Sequence, residues 1–182
     1  MRAAPRGGFW ARAAALHRLD DEGWARHANP WSGWSRIVTG LPLLVLALWS
    51  RAWIGWWSLA AIALALAWVI LNPRAFPPAR SDGTWAAKGV FGERIWIERP
   101  DAVPARHRRV PKVLTALSAA GLPFLAYGLA VLDPWPTALG AALAMIFKLW
   151  FVDRCALLYD EAVAVDPRLR YRAPDHDRER TP

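Results

Sequence analysis

Between Ile37 and Leu71 the chain carries a single charged residue, Arg51, and between Val113 and Phe147 again a single one, Asp133. Charged residues are 21% of the whole chain, so an even spread would place about seven in each such window. This clustering excludes an ordinary soluble globular domain. It excludes disorder as well, because the uncharged blocks are long and rich in Leu, Val, Ile and Trp. A small, all-α integral membrane protein is what remains.

A bilayer core about 30 Å thick takes about 20 apolar residues of helix. Ala52 to Leu71 and Val113 to Leu132 are uncharged runs of that length. Two shorter runs complete the set. Ile37 to Ser50 is extended by the uncharged region of Trp31 and Trp34 once Arg36 snorkels, and Pro134 to Phe147 continues past Lys148 through Leu149, Trp150, Phe151 and Val152. The predicted fold is a four-helix transmembrane bundle made of two hairpins, with interfacial cytoplasmic helices. Its expected segments are an amphipathic stretch at 1–30, a first hairpin at 31–71, a basic and aromatic loop at 72–112, a second hairpin at 113–152 and a tail at 153–182, unordered after Val165.

Of the 23 Lys and Arg residues, 22 fall in residues 1–36, 72–112 and 148–182, and the two short turns hold only Arg51. The positive-inside rule therefore predicts a multi-pass plasma (inner) membrane protein with both termini and the middle loop in the cytoplasm. The 13 Trp agree: Trp49, Trp53, Trp56 and Trp57 flank the first turn, Trp135 marks the second, and Trp31, Trp34, Trp68 and Trp150 lie toward the other face. Met1 to Pro30 has no apolar run of seven, so the first span is expected to act as an uncleaved anchor. The lone Cys155 leaves no internal disulfide and no multi-cysteine metal site.

Gly40-Leu41-Pro42 and Gly121-Leu122-Pro123 stand 81 residues apart, and Leu44, Leu48 and Ala60 recur at that offset as Leu125, Leu129 and Ala141. The pattern suggests a parallel repeat of a two-helix unit. Pro42 and Pro123 each remove a helical hydrogen bond and are expected to kink their helices.

Trp85 to Glu98, with its apolar Ile95, Trp96 and Ile97, reads as a helix lying on the membrane interface, and Phe9 to Arg26 as a second. The candidates for holding anionic headgroups are Arg94, Arg106, His107, Arg108, Arg109, Lys112 and Arg154. Each basic residue near a charged leaflet is worth about 1 kcal/mol. His27, Asn29, Asn72 and Arg74 form a candidate inner-face polar cluster, and Glu93 and Asp153 are the candidate catalytic carboxylates. Lys148, Tyr159 and Asp160 are the other polar residues near that face. None of the four His lies in an apolar span or at i, i+3 or i, i+4 from another, so neither metal nor cofactor is expected. No phosphate-binding glycine loop and no serine nucleophile elbow occurs.

Trp24-Ala25-Arg26-His27-Ala28-Asn29-Pro30-Trp31-Ser32, Leu71-Asn72-Pro73-Arg74 with Phe76-Pro77, Gly92-Glu93-Arg94 with Trp96, and Lys148-Leu149-Trp150-Phe151-Val152-Asp153-Arg154 together resemble a family of small prokaryotic membrane proteins classed only as a domain of unknown function. The resemblance spans Trp24 to Glu161. It implies the architecture and brings no mechanism with it.

The leading expectation is a non-enzymatic scaffold that binds anionic lipid or a protein partner at the cytoplasmic face. An enzyme acting on a lipid headgroup is the first alternative and an oligomeric transporter or transporter subunit the second. The expected partners are membrane lipids, anionic ones preferred, with a second copy or another membrane protein, and no nucleic acid.

Overall fold

The computed structural model describes residues 20–173, and every regular element among them is helical. Residues 1–19 of the expected amphipathic stretch, and the tail from 174 onward, lie outside the described residues. Asp20 caps α1 (Asp21–His27), its carboxylate accepting from Gly23 N at 2.7 Å. Asn29 caps α2 (Pro30–Ser35) in the same way, with Pro30 in the first turn, where no N–H is needed. The chain then widens into a π-helical turn, Arg36–Gly40, before α3 (Leu41–Trp49). Pro42, expected to kink its helix, follows that wide turn directly, and the local change of winding accommodates the lost hydrogen bond.

A short α4 (Arg51–Ile54) and a 3-10 turn reverse the chain at Gly55, whose φ of 55° and ψ of −127° disfavour any residue with a Cβ. Helix α5 (Ser58–Ala75) returns beside α3 and α2. The return is held by polar side chains. Buried Asn72 accepts from Ser32 Oγ at 3.1 Å and donates to Ser35 Oγ at 2.8 Å, and Trp68 Nε1 donates to Thr39 at 2.8 Å.

Beyond α6 (Trp85–Glu98), α7 (Val110–Val131) ends in left-handed Leu132, and Asp133 caps α8 (Pro134–Val165). With 32 residues, α8 is about 48 Å long. Pro123 sits within α7, which continues through it. The second hairpin closes through glycine: a Cβ on Gly121 would lie 2.6 Å from the Gly140 carbonyl oxygen, and one on Gly140 would strike the backbone of Leu125. Gly128 meets Thr137 as closely, and Ser118 Oγ donates to Ala144 O at 2.8 Å. The two Gly-Leu-Pro phrases therefore differ in use, since a Cβ on Gly40 would meet open space.

Both turns lie at one end of the molecule. Arg51, the lone cation of the turns, donates to the Leu129 and Ala130 carbonyls, the latter at 2.7 Å, and so satisfies the C-terminal end of α7. Two helical runs, Pro30–Ala75 and Ala105–Val131, are long and apolar enough to cross a membrane, with mean hydropathies of 2.1 and 1.7. Only 11% and 28% of their most apolar windows are buried within the molecule. Large side chains such as Trp56, Leu64, Ile70, Tyr127 and Ile146 point outward uncovered.

At the opposite end a basal layer has its own core. Trp24 of α1 and Ala28 just after it, Val90, Phe91 and Ile95 of α6, and Leu158, Tyr159, Ala162 and Val163 of α8 are buried together. The apolar side of α6, expected to dip into a lipid interface, packs instead against the end of α8. Gly89 and Gly92 bring the two backbones so close that a Cβ on either would collide with Val152 or Cys155. Residues 166–171, expected to be unordered, form a 3-10 turn and a strap. Tyr171 stacks on Phe91 with ring centroids 4.2 Å apart, donates from its hydroxyl to Ala79 O at 2.8 Å and gives its N–H to the Tyr159 hydroxyl.

Candidate functional site

Where the hairpins diverge above the basal layer they enclose a cleft of about 460 Å³. It lies between the π turn and α3 on one side and α8 on the other, and the Trp85, Ala86, Val90 and Glu93 face of α6 closes its end toward the basal layer. Ile37, Leu41, Met145 and Leu149 make most of it apolar. Its polar groups are few and close together. The Arg36 guanidinium reaches back to the His27 ring and donates to the His27 carbonyl at 3.0 Å. Lys148 Nζ stands 3.6 Å from the Glu93 carboxylate and 4.2 Å over the Phe151 ring. Ser118 of α7 completes the set, and Glu93, Ser118 and Lys148 also line a smaller hollow of 110 Å³ on the far side of the ion pair.

Two cations face one carboxylate here, in surroundings that lower the local dielectric, so the cleft favours an additional anionic group. Its apolar floor favours a ligand with a hydrocarbon portion. Among the described residues no set of three His, Cys, Asp or Glu gathers as metal ligands.

The predicted residues fall into separate places. Glu93 and His27 line the cleft; Asn29 does not, being buried as a cap and donating to Pro77 O at 3.0 Å. Asn72 is a buried hairpin fastener and Arg74 is exposed at the end of α5. Arg94 turns away from Glu93 to Asp21 and Glu98, the latter at 2.9 Å. Asp153 is bound by Arg154 at 2.7 Å and by Trp85 Nε1 at 3.3 Å, and these donors, Arg154 foremost, hold its carboxyl below the usual range. The two candidate catalytic carboxylates thus occupy different settings, and Asp153 is committed to structure.

Arg106, still exposed, and buried His107 both meet Glu161, at 2.8 and 2.9 Å. Arg108 and Lys112 flank a hollow of 220 Å³ over Trp96, Ile97 and Val103, and Arg109 is exposed beside them. Arg36 and Ser118 were not among the predicted site residues, and Lys148 was named only as a polar residue near the inner face. The signal for them was depth, because each is a polar side chain near the basal end of a different apolar run.

Residues 9–175 match a family described as "Family of unknown function (DUF6653)". The chain belongs to that family. The match takes in the cleft, the basal layer and the strap, so the family's sequence pattern covers every feature described above. No curated protein and no solved structure matches the chain.

Proposed function

We propose that the protein crosses the plasma membrane four times, both termini cytoplasmic, and serves as a non-enzymatic lipid-binding scaffold whose cleft receives an anionic lipid. The observation that carries the reading is the composition of the cleft: Arg36 and Lys148 beside a single carboxylate, over a floor of Ile37, Leu41, Met145 and Leu149. Arg36 and Lys148 hold the phosphate, the apolar floor takes the first carbons of an acyl chain, and Glu93 keeps Lys148 placed between ligands. The cation distribution supports the orientation, since 22 of 23 lie outside the turns. Arg108, Arg109 and Lys112 add a second basic surface on the same side.

Native mass spectrometry of the full chain, released gently from its membrane, tests this. Wild-type protein should retain acidic phospholipid, and Arg36→Gln with Lys148→Gln should cut retention about fivefold or more. Equal retention by that variant would reject the cleft as the lipid site. An enzyme acting on a lipid headgroup is the second reading, favoured by the Glu93 carboxylate facing the cleft beside His27. It requires that Glu93→Gln fail to restore the headgroup composition of a deletion strain, and full restoration would exclude it.

A further inference from the structure

Helix α6 presents a second face, roughly 150° round from the one that lines the cleft. Phe91, Arg94, Ile95 and Glu98 on this face and Arg99 just past its end, with Ala25 of α1 and the strap Arg168–Arg172, line a groove of about 600 Å³ in the basal layer. That is the size of a small-molecule site, for which about 300–1,000 Å³ is usual. The acidic residues of the groove are already engaged. Glu22 pairs with Arg26 at 2.7 Å, and Asp21 and Glu98 both pair with Arg94. Arg99, Arg168, Arg170 and Arg172 are exposed and form no salt bridge among the described residues.

Four uncommitted guanidinium groups at one groove would repel one another if the strap were held there only by charge. The strap is held by other means: Tyr171 is fixed by its stack on Phe91, its bond to Ala79 O and its N–H to Tyr159. The arginines are therefore brought together before any ligand arrives, which lowers the ordering cost of binding. Guanidinium forks match phosphate oxygens in pairs, and several forks suit a ligand carrying more than one phosphate.

We infer that this groove binds a soluble, polyphosphorylated small molecule, at a site separate from the cleft. The choice of a soluble ligand rests on the four-crossing reading. Tyr159, to which the strap is tied, lies seven residues beyond Val152, about 10 Å further along α8 and so beyond a headgroup layer of about 5–7 Å. Because α6 is the shared wall of groove and cleft, the molecule has a lipid-facing and a solvent-facing site on one helix.

Titration calorimetry of the full chain in non-ionic detergent, with inorganic triphosphate as the probe, tests the groove. Saturable binding at one site is expected, weakened about tenfold or more in Arg168→Ser with Arg172→Ser and unchanged in Arg74→Ser with Arg80→Ser, which removes the same charge elsewhere. Absence of saturation, or equal loss in both double variants, overturns the inference. Affinity should also be the same in phosphatidylcholine and phosphatidylglycerol nanodiscs. A marked loss in the latter would assign the groove to lipid headgroups and overturn the soluble ligand. Failure of the cleft to retain lipid leaves these outcomes as they are, so the two readings fail separately.

Discussion

The two hairpins share a topology, a length scale and a Gly-Leu-Pro phrase, yet they are joined by different means. The first is fastened near the basal end by the side chains of Ser32, Ser35, Thr39, Trp68 and Asn72. The second is joined along its length by backbone approach at Gly121, Gly128 and Gly140. Neither device depends on the hydrophobic effect; close packing in one and interhelical hydrogen bonds in the other hold the helices together. The consequence is a division of labour. A rigid second hairpin runs on as α8 into the basal layer, while the first is free to diverge from it and leave the cleft.

The largest test of that contrast is Gly140→Val, whose side chain has to displace the Leu125 backbone. A loss of about 3 kcal/mol or more is expected, read as loss of folded protein in detergent denaturation. The paired alanines at the repeated phrase come next. Gly121→Ala should cost about 2 kcal/mol, whereas Gly40→Ala, in the π turn with open space where its Cβ would lie, should change stability by no more than about 0.5 kcal/mol. Equal effects at the two sites would show that the hairpins are joined alike. Asn72→Leu should cost about 1–2 kcal/mol by stranding the buried Ser32 hydroxyl, since Ser35 keeps its bond to the Ser32 carbonyl, and adding Ser32→Ala should recover part of it.

The smallest effect lies in the basal layer. Arg106 foremost, then His107, holds the Glu161 carboxyl below its ordinary value of 4.5. A depressed carboxylate stabilises the fold above its ordinary value and loses that contribution as pH falls through the depressed one. The Tm gap between wild type and Glu161→Gln should therefore be constant above about pH 4.5 and close below it. A gap that widened on acidification would contradict the assignment.

Much of the helical layout was legible. The uncharged runs 52–71 and 113–132 fall largely on α5 and α7, and Trp85 to Glu98 is helical over the segment its pattern indicated. What was misread is the partner of that helix. Its apolar side was assigned to lipid because the reading ended the last apolar run at Val152, whereas Cys155, Leu158, Tyr159, Ala162 and Val163 recur at helical spacing and supply a protein surface instead. Composition placed the strap in a disordered tail because its arginines outnumber its apolar residues, yet Tyr171 alone makes the contacts that dock it. The cleft eluded the sequence for a different reason. Arg36, Glu93, Ser118 and Lys148 lie on four separate elements, and only the crossing of α6 beneath the hairpins brings them together.

The claim on which the cleft and the groove both depend is that two hairpins cross the bilayer and place the basal layer opposite the turns. Single cysteines at Trp56, Ser81 and Trp135, probed with a membrane-impermeant maleimide in intact and then permeabilised cells, test it most directly. Cys155 is buried and its thiol is pushed well above the usual range by that burial, so it stays silent. Trp56→Cys and Trp135→Cys should label in intact cells and Ser81→Cys only after permeabilisation. Labelling of Ser81→Cys together with either turn in intact cells would contradict the account.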